Sequence, residues 1–323
     1  MGTFNPSAHI TTVRGNIPPS DIGICHSHEH LFIKKGYPEK LDSSLVLDDY
    51  SKTKEEVQRF QELGGKTIVD AQPVGSGRNA GWLQQLSEET GIHILASTGF
   101  HKLGFYSPQH WIHETSMDKL AQLFMDELQM GMFDDGEEGW PQQRIQAKAG
   151  LIKTAADFEG TAGPYFRLFK AAAKAAYETG SPIMSHTELG YNAMDQIMLY
   201  MSLGIPEDQL IICHLDRKIE NEEYLLHVAS MGVYIELDTI GRFKYHSDED
   251  EVKLIGRLLD NGFEDQILLG LDTTRNRMKS YGASIGLDHL QGTFLKLLRQ
   301  SGVSEERIHK MMHANPAAAF SKR

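Results

Sequence analysis

The stretch "GICHSHEHLF" (23–32) decides the fold, because His26, His28, His30 and Glu29 crowd into one short apolar run. Side chains alternate along an extended strand, so the three imidazoles are expected on one face. A strand that ends in polar side chains suits a barrel whose chemistry sits at its C-terminal rim. Working outward, seven more short apolar runs follow: "KTIVDAQP" (66–73), "IHILASTGF" (92–100), "AGLIKTA" (149–155), "PIMSHTE" (182–188), "LIICHLD" (210–216), "VYIELDT" (233–239) and "ILLGLDT" (267–273). Amphipathic patterns lie between them, among them KEEVQRFQEL (54–63), YFRLFKAAAKAAYETG (165–180), NEEYLLHVASMG (221–232) and EVKLIGRLLDNG (251–262). Several end in Gly just before the next strand, as a helix C-cap does. This alternation predicts an α/β protein of the (β/α)8 TIM-barrel type. A doubly wound open sheet would show a Gly-rich phosphate loop after its first strand, and "HSHEHLF" has none.

The 323 residues suit one barrel domain over 1–323, with a lead-in to about residue 20 and an insertion at about 101–147. The insertion contains "FDDGEEGWPQQ" (133–143), which has little apolar patterning, and reads as a partly helical excursion over the barrel mouth. Hydrophobic residues make up 40% and the net charge is −12, so a large core is available and nucleic acid is not an expected partner. No apolar run is long enough to span a membrane. The start lacks a secretory h-region, and "MGTFNP" has Pro6 where a myristoylation site needs Ser or Thr. Two cysteines, Cys25 and Cys213, make no disulfide framework, so a cytoplasmic location is expected.

The ends of the strands gather His28 and His30, Lys153, His186, His214 and Asp272. His-x-His, Lys, His, His and Asp on separate strand ends point to a metal site. His26 lies deeper and reads as a packed histidine of the barrel interior. By alternation, Cys25 and Cys213 turn to the helices as apolar fillers. His93, His110, His113, His227, His246, His289, His309 and His313 are set aside as core or surface residues, and "SDEDE" (247–251) as a solvated helix start.

"TTVRGNI", "HEHLF", "GLIKTA", "SHTE", "ICHLD" and "LLGLDTT" resemble the phosphotriesterase family of the amidohydrolase superfamily, in its phosphotriesterase-like lactonase branch, over almost the whole chain. The resemblance implies two divalent metal ions, zinc first and manganese or cobalt as alternatives. It implies His28, His30 and Asp272 on the more buried ion, His186 and His214 on the more exposed one, and Lys153, carboxylated by CO2, bridging both. It also implies attack by a metal-bridging hydroxide, with Asp272 as the proton-carrying catalytic residue.

The substrate class rests on the loops. "DTTRNRMKSYG" (272–282) carries Arg275, Arg277 and Lys279, and "DTIGRFKYH" (238–246) carries Arg242, Lys244 and Tyr245. Barrel phosphate sites are often built from these two loops. Lys244 and Arg275 are expected to face inward, with Arg277, Lys279, His101, Lys102, Tyr106 and Arg217 as further substrate contacts. A basic rim on an acidic chain suits a small anionic lactone, foremost a phosphorylated sugar 1,4-lactone. The alternatives are a phosphoester hydrolase or a lactonase for acyl-homoserine or other non-phosphorylated lactones. An intact ligand set argues against a barrel that only binds sugar phosphate. Homodimerisation, frequent among such barrels, is left open.

Overall fold

The computed structural model describes residues 8–322, so "MGTFNP" lies outside the described residues. Eight parallel strands run in sequential order: β1 (Ile24–Glu29), β2 (Gly65–Asp70), β3 (His93–Gly99), β4 (Leu151–Ala155), β5 (Ile183–His186), β6 (Leu210–Cys213), β7 (Tyr234–Leu237) and β8 (Ile267–Leu269). The ring closes between β1 and β8, where Ser27 Oγ donates to Leu269 O at 2.8 Å and Asp272 N donates to His28 O at 3.0 Å. This is the barrel the alternating pattern predicts, and every one of the expected strand runs overlaps a strand.

Helices pack outside the ring: α1 (Tyr50–Glu62), α2 (Ala80–Thr90), α3 (Met117–Gln129), α4 (Pro164–Thr179), α5 (Ala193–Ser202), α6 (Glu222–Ala229), α7 (Asp248–Asp260) and α8 (Leu295–Gln300). Side-chain caps fix the starts of α1, α2, α3 and α7, as where Asp49 accepts from Lys52 N and Ser247 from Asp250 N. Gly91 and Gly180 end α2 and α4 in the left-handed conformation, as the sequence suggests. Each helix turns an apolar stripe to the strands, for example Val57 and Phe60 of α1 and Leu258 and Leu259 of α7. An antiparallel hairpin, Ile10–Thr12 with Gly15–Ile17, lies at the opposite end from the site, and Ile10 joins Ile22 and Phe320 in the inner core. Among the described residues, no helix is long and apolar enough to cross a membrane.

Two inside–outside assignments differ from strict alternation. Cys25 and Cys213 belong to the inner core with Val69, Leu95, Leu151, Met184 and Leu268, whereas His26 packs edge-on against Phe60 of α1. The pairing of β1 with β2 shifts register between His26 and Glu29, and that irregularity resets the parity so that Cys25 and His28 both point inward. His26 is instead held outside by Glu29 Oε1 at 2.9 Å and Gln291 Oε1 at 3.0 Å.

The insertion also differs from a simple excursion over the mouth. Its centre is α3, which packs as the ordinary third barrel helix. Residues 132–147 then double back on themselves, with Met132 N bonded to Ala147 O and Asp134 N to Gln143 O. Arg78, paired with Glu127 of α3, also holds Phe133 O and ties this turn to the barrel flank. Of the insertion, His101, Lys102 and Phe105 reach the cavity at the mouth.

Candidate metal centre

At the C-terminal ends of the strands lies a cavity of about 120 Å³. His28, His30, Lys153, His186, His214 and Asp272 all line it. Each arrives by local backbone geometry. Lys153 follows Leu151 on the inner face of β4, and His186 follows Met184 on that of β5. His214 would alternate outward after Cys213, but its φ of 65° turns it back into the ring. Asp272 has a φ of 49° and lies just beyond β8. Gly270 beneath it is required, because a Cβ there would lie 2.9 Å from His28 O.

The imidazoles are held from behind. His28 Nδ1 is 2.7 Å from Glu236 Oε2, and His214 Nδ1 is 2.6 Å from Asp238 Oδ1. A carboxylate on one ring nitrogen fixes the tautomer that leaves the other as a lone-pair donor. Both carboxylates come from the "VYIELDT" run and were not singled out in the sequence. The available signal was alternation, which places two acids, Glu236 and Asp238, on the inner face of a barrel strand.

Burial pushes His28 and His214 well below the usual imidazole range and His186 down to about 3, so all three are neutral, the form that ligates. Burial raises Asp272, but Arg242, Arg217 and His30 outweigh it and hold the carboxylate well below its usual range. His30 Nε2 lies 3.3 Å and His28 Nε2 3.7 Å from Asp272 Oδ1, a compact donor group. The His186 and His214 rings are 4.4 Å apart. His186 Nε2 is buried with no hydrogen bond, since Glu188 Oε2 is 3.6 Å away. Lys153 is buried with His28 Nε2 at 3.3 Å and Cys213 Sγ at 3.7 Å, and no carboxylate lies within ion-pair distance among the described residues. Neutral imidazoles with free nitrogens, an orphaned ring nitrogen, one carboxylate and a lysine without a counter-ion make a donor set that fits two divalent cations.

The other expected contacts divide. Arg217 lines the cavity and donates to Asp272 Oδ2 at 2.5 Å; Lys102 and His101 also line it. Lys102 is tied to Glu188 at 2.6 Å. Tyr106 does not line the cavity; its hydroxyl accepts from His101 N at 2.8 Å and so holds the loop. Arg277 is buried behind the site, donating to Asp272 O and Ile240 O. Lys279 pairs with Asp288. Lys244 and Arg275 do not line the cavity, contrary to expectation. Lys244 is exposed, 4.8 Å from the centre of the Tyr245 ring, and Arg275 stands 5.3 Å from that of Tyr281. The inward cation of the loop after β7 is Arg242, which donates to Asp272 Oδ2. A guanidinium sheds water more readily than an ammonium and finds Asp272, while Lys244 keeps its hydration at the outer rim.

The phosphotriesterase family model matches residues 8–320. The chain is 32% identical to a phospho-furanose lactonase of Mycoplasmopsis agalactiae, over 95% of this chain and 90% of that protein. It superposes on the crystal structure of a lactonase from Listeria monocytogenes with a TM-score of 0.89 at 32% identity, covering 98% of this chain and 99% of that one. The phosphotriesterase homology protein of Escherichia coli, solved with phosphate in its active site, superposes with a TM-score of 0.84 at 29% identity, covering 93% and 99%.

Proposed function

The chain belongs to the phosphotriesterase family, a family of binuclear metal hydrolases, and from that premise we propose that it opens a small anionic lactone, foremost a 1,4-lactone of a sugar phosphate. The hydrolase chemistry comes with the family; the substrate is the proposal. The observation that carries it is the cationic wall around the donor set: Arg217, Arg242 and Lys102 line a small cavity in a chain of net charge −12. At about 120 Å³ the cavity is well below the ~300 Å³ of a drug-sized site and suits a single small ring. The named activity of the phospho-furanose lactonase relative and the phosphate in the E. coli structure support the same reading.

In this reading His28, His30 and Asp272 would hold one divalent cation and His186 and His214 the other, with Lys153 between them as a carbamate. The ions would supply Lewis acidity and an acidified water. The chain's residues do the rest. Glu236 and Asp238 keep the Nδ1 atoms of His28 and His214 engaged, so the Nε2 atoms stay aimed at the cavity. Asp272 is the carboxylate placed to take the proton released on attack and return it to the ring oxygen as the lactone opens. Arg217 and Arg242 keep it ionised before substrate arrives. An anionic group drawing on those guanidiniums would restore basicity to Asp272 when a substrate is in place. Ile33, Pro38, Leu45 and Phe105 form the apolar part of the wall and limit water. A 5-phosphate lies at the opposite end of a 1,4-lactone from its carbonyl, so it would reach outward to the loops that carry Lys244 and Arg275.

The test is a panel on zinc- or manganese-loaded protein: sugar 1,4-lactones with and without a 5-phosphate, an acyl-homoserine lactone and an aryl phosphotriester, followed by proton release or leaving-group colour. A charged hydrogen bond contributes about 1.5–3 kcal/mol, so kcat/KM should favour the phosphorylated lactones by about 10- to 100-fold. Equal or better turnover of the neutral lactones or the triester would refute the anionic-substrate reading and leave the metal site standing.

A further inference from the structure

A second group of donors lies behind the wall that carries His214. Asp216 follows β6, His246 lies in the loop after β7, and Glu251 sits in the first turn of α7. The acidic run 247–251 is a helix start, but only part of it is solvated: Glu249 is exposed and Asp250 half-buried, whereas Asp248 and Glu251 turn inward and are buried. One donor atom from each of Asp216, His246 and Glu251 lies within 4.8 Å of the other two. Asp216 and Glu251 are fully buried and the His246 side chain is 4% exposed.

The group is short of hydrogen-bond donors. Asp216 Oδ2 accepts from Thr239 N, but Oδ1 has no partner, and neither oxygen of Glu251 accepts an aligned hydrogen bond. Among the described residues no lysine or arginine comes within ion-pair distance of either carboxylate. The neighbouring acids are already engaged, Asp248 by Gly241 N and His289 and Asp238 by His214. The orientation of His246 is the independent observation. Its Nδ1 is 3.0 Å from Ser247 O, a carbonyl that can only accept, so Nδ1 carries the proton. Nε2 has Thr239 Oγ1 at 3.3 Å and Glu251 Oε2 at 3.0 Å; the hydroxyl can donate to Nε2 but leaves Glu251 unserved, and an accepting Nε2 and a carboxylate oxygen do not meet at 3.0 Å without something positive between them. Ligating histidines commonly donate the other ring N–H to a backbone carbonyl in this way.

We propose that Asp216, His246 and Glu251 hold a divalent cation, zinc or manganese, at a site separate from the catalytic cradle. One imidazole and two carboxylates are a donor set for such an ion, and buried carboxylates without counter-charge are costly. The ion ties together the turn that carries Arg217, the loop that carries Arg242 and the start of α7. Its role is to fix the two arginines of the cavity wall. It touches no substrate.

Metal content of the zinc-reconstituted full chain, by native mass spectrometry and elemental analysis, tests this. Wild type should carry about three ions, Glu251→Gln and His246→Ala about two each, and Lys153→Ala, which damages only the cradle, should keep at least about one. Glu251→Gln keeps the shape of the side chain, and His246→Ala is a second variant should the first not fold. A wild-type content of two ions or fewer, or three ions retained in either cluster variant, overturns the proposal; a proton shared by the buried acids, or a doubly protonated His246, then fills the gap. Loss of metal in Lys153→Ala with the cluster variants unchanged supports the catalytic cradle and not this site, so the two readings fail separately.

Discussion

The cradle and the rim meet at Asp272, and they are built on opposite plans. Cradle side chains stand on strands or one to three residues beyond them, and His28 and His214 have a second atom fixed by a buried carboxylate. Rim side chains stand on loops, and Arg217 and Arg242 are anchored on the same Asp272 oxygen. A group with two fixed partners cannot follow a substrate. A group whose partner is itself mobile in charge can. The cradle is therefore suited to hold ions and the rim to sense what arrives.

That contrast predicts where damage is greatest. Lys153→Ala removes the buried lysine that lines the cavity beside His28 and is proposed to join the two ions, and kcat should fall by about 10³-fold or more. The loss should appear equally on charged and neutral substrates, and the metal content of the purified variant should drop. Near-normal turnover with normal metal content would break the comparison, because the cradle would then not be where the chemistry happens.

The supporting acids come next. Glu236→Gln and Asp238→Asn keep size but remove the charge behind His28 and His214. Such partners typically contribute about 10- to 100-fold in metal affinity or activity. Zinc titration against a chelating dye should show weakened binding, with turnover recovering at high metal. If saturating metal left a large deficit, these acids would be acting on the reaction and not on ligand orientation.

The cradle was legible in the sequence because strand position dictates direction: once the apolar runs were ordered, His28, Lys153, His186 and Asp272 had to share a rim. Where a single residue broke the parity, direction was lost. The register shift in β1 moved Cys25 inside and His26 outside, and the left-handed turn at His214 brought that residue in beside Cys213. Neither event has a glycine or proline to announce it. The rim was legible as a basic composition but not as a geometry. Arg242 and Lys244 are two residues apart on one irregular loop, and which one turns inward depends on Asp272, a partner that only the fold brings near. The buried Asp216, His246 and Glu251 group was hidden for the same reason: its members come from three segments, and each looks ordinary alone.

The smallest effects should lie within the rim itself. Arg242 stands at the reacting end, on Asp272, whereas Lys244 and Arg275 stand outside the cavity. Arg242→Ala removes a guanidinium from beside Asp272, the carboxylate proposed to carry the proton, so it should lower kcat on both phosphorylated and neutral lactones, by about tenfold for one charged contact. Lys244→Ala and Arg275→Ala touch nothing at that end. Each should raise KM for the phosphorylated lactone by about threefold to tenfold, since an exposed charge contact is worth about 1 kcal/mol, and leave the neutral lactone unchanged. That loss should shrink as salt is added, because the outer rim is open to screening and the buried Asp272 contact is not. A kcat effect of Lys244→Ala on the neutral lactone would mean that the loop after β7 folds inward during turnover. Arg242 and Lys244 would then exchange places on one mobile loop, and the division between a reacting end and an outer rim would have to be redrawn along that loop.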